Sequence, residues 1–101
     1  MPIVRGGTPT VVFNVAIDLT TAVVLYVSYY QNNRKVLEKP LEECTVTEKT
    51  VTNKLSQAET LKFREEYDVE MQIRARLEDG SAPISKVITT TVSRLLKPGV
   101  I

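Results

Sequence analysis

Residues Val69 to Leu77 alternate without a break. Val69, Met71, Ile73, Ala75 and Leu77 are apolar, and Glu70, Gln72, Arg74 and Arg76 stand between them. A helix would scatter the five apolar side chains around its circumference, whereas an extended chain places all five on one side. The segment therefore reads as a half-buried antiparallel strand with one core face and one wet face. Glu78-Asp79-Gly80-Ser81 follows, and Asp-Gly is a strong short hairpin signal. The spacing predicts that Ala82 to Ser93 returns as the partner strand, with Ile84, Ile88 and Val92 pointing inward. Pro83 has no amide hydrogen, so the start of that partner belongs at a sheet edge or bulge.

After the breaker cluster Gly6-Gly7-Thr8-Pro9, the residues Val11, Phe13, Val15 and Ile17 alternate as a strand, and Asp18 to Thr21 reads as a turn. Ala22 to Gln31 is rich in β-branched and aromatic residues and is apolar on both faces, as expected of a central or covered strand. Val23, Leu25, Val27 and Tyr29 form one face; Val24, Tyr26, Ser28 and Tyr30 form the other. Asn32-Asn33 suits a tight hairpin, because asparagine tolerates positive φ. Arg34 to Lys39, dense in charge and followed by Pro40, suits an exposed edge strand. Two short strands are expected near Cys44 to Thr47 and Thr50 to Leu55, with Glu48-Lys49 between them. Ser56-Gln57-Ala58-Glu59 matches a capping box, so a short helix begins there, with Ala58, Leu61 and Phe63 packing on the sheet and Leu55 as a core anchor. The sum is an all-β chain: a single domain, residues 1–101, folded as an immunoglobulin-like antiparallel β-sandwich of about seven strands with one short helix.

Composition narrows the function classes. Apolar residues are 43% and charged residues 25% of the 101, with 13 basic and 12 acidic side chains giving a net charge of +1. That balance supplies no bulk attraction for nucleic acid or an anionic membrane. There is no histidine, which excludes imidazole-based triads and the commonest zinc ligand. Cys44 is the single cysteine, so no disulfide forms within the chain, and it reads as a half-buried small hydrophobe. No stretch approaches the length of a membrane span, and the opening residues lack the basic and apolar regions of a secretory signal. The expectation is a protein made in the cytoplasm and open to later incorporation into a larger particle.

Nothing in the sequence assembles a catalytic apparatus. The carboxylate pairs Glu42-Glu43 and Glu65-Glu66 are neighbours in sequence that point apart, unlike a converging acid-base pair. Gly6-Gly7-Thr8 lacks the lysine and following helix of a phosphate loop. No catalytic, metal or cofactor-binding residue is expected, and no cofactor. The residues left for function are apolar or aromatic ones with two readings. Tyr26 and Tyr30 either cover a sheet face within the chain or meet another subunit. Leu95, Leu96, Val100 and Ile101 either dock on their own sandwich or insert into a neighbour, since mobile tails are usually polar. Arg74 and Arg76, beside Glu70 and Gln72, either make cross-strand ion pairs or belong to a polar subunit interface.

Four stretches together resemble a group of short proteins encoded among the tail and baseplate genes of clostridial and related Firmicute prophages. They are the opening Met1 to Thr10, the middle Leu55 to Leu61, Gln72 to Leu77 with Asp79-Gly80, and the closing Leu95 to Ile101. The hairpin Gln31-Asn32-Asn33-Arg34 departs from the Gln-Asn-Gly expected there. The layout is also similar to the N-terminal domain of baseplate upper proteins of Gram-positive phages. The resemblance implies an immunoglobulin-like structural module of a tail or baseplate, with protein partners (itself or other tail proteins) and no catalytic residues. The alternative function is a small binding module for a cell-surface protein or carbohydrate. The absence of tryptophan and the count of four tyrosines weigh against sugar binding.

Overall fold

The computed structural model describes residues 2–97 and 99–101; Met1 and Pro98, which belong to the opening and closing motifs above, lie outside them. Strands β1 (Ile3–Val4), β2 (Thr10–Asn14), β3 (Ala22–Gln31), β4 (Arg34–Pro40), β5 (Cys44–Val46), β6 (Thr50–Lys54), β7 (Val69–Leu77), β8 (Ile88–Thr90) and β9 (Val92–Ser93) carry the chain. A 3-10 turn, Leu41–Glu43, and a one-turn helix α1, Gln57–Thr60, interrupt them.

The strands form a three-stranded sheet, β2-β6-β5, a four-stranded sheet, β4-β3-β7-β8, and a small parallel pair, β1-β9. All pairings within the two larger sheets are antiparallel. Val11, Phe13 and Val51 from the first and Leu25, Val27, Tyr29, Val69, Met71, Ile73 and Ala75 from the second share one buried core. This is a sandwich with the strand order of an immunoglobulin-like domain: β2, β6 and β5 stand as B, E and D, and β4, β3, β7 and β8 as C′, C, F and G.

Local chemistry sets the element boundaries. Asn32 and Asn33 both take positive φ, 49° and 61°, as a tight primed hairpin requires, and β3 and β4 pair on either side. Asn thus fills a position that favours glycine. Ser56 caps α1: its hydroxyl accepts from Glu59 N at 3.1 Å while the Glu59 carboxylate accepts from Ser56 N at 2.9 Å, the reciprocal capping box. Gly80 turns the chain after β7 at φ 87°, and Asp79 braces that turn by accepting from the Ser81 amide and hydroxyl.

Several sequence expectations change. The strand beginning at Val11 stops at Asn14, short of Ile17. A bulge between Ala22 and Val24 leaves Val23 exposed instead of on the inner face. With only one turn, α1 turns Thr60 inward, whose hydroxyl donates to Gly7 O at 2.9 Å, and Ala58 outward. Phe63, just beyond, is fully buried against Tyr29. The return from the Asp79-Gly80 turn is not one strand. Ile84 only bridges Arg74, and the regular ladder resumes at Ile88. Ile84 and Ile88 are exposed at 58% and 39%, whereas Val92 packs against the core. The cause is local. Pro83 cannot donate, and Ser85 bonds Ile73 with both its amide and its side-chain hydroxyl, which breaks the alternation of faces.

Candidate functional site

Polar side chains inside the sandwich are paired with one another. The Tyr29 hydroxyl donates to Asn53 Oδ1 at 2.7 Å, and Asn53 Nδ2 donates to Cys44 Sγ at 2.9 Å. The Cys44 thiol in turn reaches Pro40 O at 3.2 Å, so one string of bonds crosses from β3 through β6 and β5 to β4. Burial pushes the Tyr29 hydroxyl well above its ordinary pKa, helped by the nearby Cys44 and Glu59. Burial likewise pushes the Cys44 thiol up, against the lowering effect of the Asn53 hydrogen bond. Both groups are held neutral, the opposite of what an activated nucleophile needs. Lys39, buried on β4, donates to Glu59 Oε2 at 2.6 Å. Desolvation raises the Glu59 pKa, but the bonds from Lys39 and Ser56 outweigh it and hold the carboxyl below its usual value. Gln31 is also consumed: it donates to Arg64 O and Tyr67 O and accepts from Arg64 N. Among the described residues no group of three or more Cys, Asp or Glu side chains is placed to hold a metal ion.

The outer face of the four-stranded sheet is different. Tyr26 and Tyr30 stand on it, 41% and 38% exposed, on either side of Ser28. The register places Arg74 opposite Tyr26, Gln72 opposite Ser28 and Glu70 opposite Tyr30. On the far side, Pro40, Glu38 and Lys35 stand opposite Tyr26, Ser28 and Tyr30. Lys35 pairs with Glu38 at 3.8 Å on the surface. Arg74, Arg76 and Glu70 take part in none of the ion pairs or side-chain hydrogen bonds among the described residues. The cross-strand ion pairs are therefore not formed among the described residues. The reason is the register: the residues facing Arg74 and Glu70 across β3 are the two tyrosines.

The tail residues are not on this face. Leu95 is half-buried beside Gly6, which sits at φ 78° with the Leu95 methyl 3.0 Å from where a Cβ would stand. Leu96, Val100 and Ile101 are exposed at 81%, 63% and 91%, so docking on the chain's own sandwich is limited to Leu95. The Ile101 amide donates to Gln57 Oε1 at 3.0 Å, which ties the backbone to α1 while the side chain remains outside. A further surface escaped the sequence. An apolar groove of about 370 Å3 opens between the end of β2 and the irregular return after β7, lined by Phe13, Val15, Ile17, Ile73, Ile84 and Ile88 among others. Its signal was present in the sequence, in Ile17, Ile84 and Ile88, but alternation assigned those side chains to strands and, for the last two, to the interior.

No family model matches the chain, and no curated protein does. Among solved structures, the chain is similar to the immunoglobulin-like domain of mouse leukocyte-associated immunoglobulin-like receptor 1, a strand-swapped dimer. The two are 17% identical, the match covers 93% of this chain and 88% of that one, and the TM-score is 0.48.

Proposed function

We propose that this chain is a non-enzymatic structural and assembly protein of a prophage tail or baseplate, acting through protein–protein interfaces. The observation that carries the assembly reading is the contrast between a closed interior and an open exterior. Among the described residues, Tyr29, Cys44, Lys39 and Glu59 are each held by a partner within the chain. On the outside, Tyr26, Tyr30, Glu70, Arg74 and Arg76 take part in no ion pair or side-chain hydrogen bond among the described residues, and apolar groups line an open groove. Exposed apolar surface gathered into patches is the usual mark of an interaction surface. The assignment to a tail or baseplate rests on the sequence resemblance. Deleting the coding sequence from the prophage and imaging the induced particles tests the reading. The expected result is particles with missing or incomplete tails; intact, infective particles would overturn it.

A binding module for a cell-surface ligand is the second reading. It is favoured by the shallow polar concavity where Tyr30 stands beside Ser28, Glu38, Glu70 and Gln72. A screen of the purified protein against immobilised glycans and host surface proteins separates the two readings.

A further inference from the structure

The outer face of the four-stranded sheet is patterned about its own centre. Ser28 on β3 and Gln72 on β7 are opposite one another in the register. Two residues away on one side lie Tyr26 and Arg74; two residues away on the other lie Tyr30 and Glu70. Two residues further along β7 at the first end is Arg76, and four residues before Gln72 at the other is the exposed Asp68. The face thus has a tyrosine at each end, a basic end and an acidic end, in equal steps from one midpoint. Arg74 and Glu70 lie about 13 Å apart along the same strand, too far to meet.

We infer that a second copy of this chain packs on this face about a two-fold axis that runs across the strands through Ser28 and Gln72. The inference rests on the assembly reading above and names one partner and one register for it. Such an axis reverses position along each strand. Arg74 of one copy then faces Glu70 of the other, Arg76 faces Asp68, and Tyr26 faces Tyr30, with each contact made twice. Stacked sheets lie about 10 Å apart, a gap that arginine and glutamate side chains close from the two sides. An axis running along the strands instead would place Arg74 on Tyr26 and leave Glu70 facing an aromatic ring, so the charge pattern selects the crossing axis. Glu38 lies level with the axis, opposite Ser28, and meets its own copy there. Lys35 already holds it at 3.8 Å, so each copy brings a neutral pair to that point.

The register is tested by charge reversal, with sedimentation equilibrium as the readout. The wild-type chain is expected to be a dimer that weakens as salt rises. R74E carries acid at both positions and E70R carries base at both. Each alone should dissociate about 100-fold more readily, because like charges face each other twice. The double variant R74E/E70R should dimerise again. An equimolar mixture of the two single variants should form a heterodimer, since the acidic face of one matches the basic face of the other. Both positions of the exchange are exposed, and circular dichroism checks that each variant is folded. A wild-type chain that stays monomeric at millimolar concentration overturns the inference. So does a wild-type dimer that neither single variant weakens, or single variants that fail to associate when mixed. In the second of these cases self-assembly survives through another surface; particles lacking tails in the deletion strain would leave the assembly reading standing in all of them.

Discussion

Tyr29 and Tyr30 are adjacent in the chain, and the pleat of β3 sends them to opposite faces. Tyr29 is fully buried; its ring meets Phe63 edge-on at 6.0 Å and its hydroxyl is fixed on Asn53. Tyr30 is 38% exposed and stands level with Glu70, a carboxylate with no ion-pair or side-chain hydrogen-bond partner among the described residues. The same contrast holds between Lys39, whose charge is buried against Glu59, and Arg74, whose charge is left in water. The stability of this fold resides on the inner side. Polar groups on the inner side are obligatory, because a buried donor or acceptor without a partner costs its full desolvation. Those on the outer side contribute little to the isolated chain and are free to be used by something else.

Substitutions that strike one side and spare the other would break that contrast if it were wrong. The largest effect is expected for Glu59→Gln. Glutamine preserves the capping box, yet it leaves the buried Lys39 ammonium without a counter-charge, which costs about 2–4 kcal/mol after allowance for the partial exposure of Glu59. Urea denaturation monitored by circular dichroism measures the loss; a midpoint equal to the wild type would mean that the pair is idle. The same pair shapes the acid limb. The folded pKa of Glu59 lies below its unfolded value, so its stabilising contribution is full above the unfolded value of about 4.3 and is lost as pH falls through the folded one. Lys39→Met should flatten the fall in thermal midpoint over that acidic range.

Tyr29→Phe comes next. It removes one hydroxyl and leaves Asn53 Oδ1 buried without its donor, for about 1–2 kcal/mol, whereas Tyr30→Phe should change stability by less than about 0.5 kcal/mol. Matched urea titrations of the two variants put the neighbours side by side. The smallest effects belong to Arg74→Ala and Glu70→Ala, each expected within about 0.5 kcal/mol of the wild type when measured on dilute, monomeric protein. A loss above 1 kcal/mol in either would show that the outer face also holds the monomer together.

Much of the sandwich was legible because several segments obey one local rule each. The bounds of β3 and β7 follow from β-branched residues and strict alternation, and the Asn32-Asn33 turn and the Ser56 cap from backbone preference alone. Ile84 and Ile88 were misplaced because alternation assumes an unbroken ladder. The proline amide that is missing and the serine hydroxyl that intrudes are visible as letters, but their effect on register is not. The tail shows a related limit. Its hydropathy speaks for burial, yet burial also needs a backbone that follows the sheet, and here the chain turns at Gly99 with φ 101°. For the outer face, the charges on β7 could be read from the sequence, but their lack of partners could not. It depends on Tyr26 and Tyr30 standing opposite them, which is a property of pairing between strands distant in sequence.

The parallel pair β1-β9 gives the domain a mechanical character. It joins a segment at one end of the chain to a segment near the other through Ile3 N to Thr91 O at 2.8 Å and Arg5 N to Ser93 O at 3.4 Å. Tension applied to the residues before Ile3 and after Ser93 would pull these two parallel strands in opposite directions along their own axes. Bonds loaded in that direction share the force and yield together, whereas a hairpin pulled open at its end gives way one bond at a time. The clasp is short, with β1 and β9 of two residues each. It should slip first under load, releasing the end segments as slack while the two larger sheets remain closed.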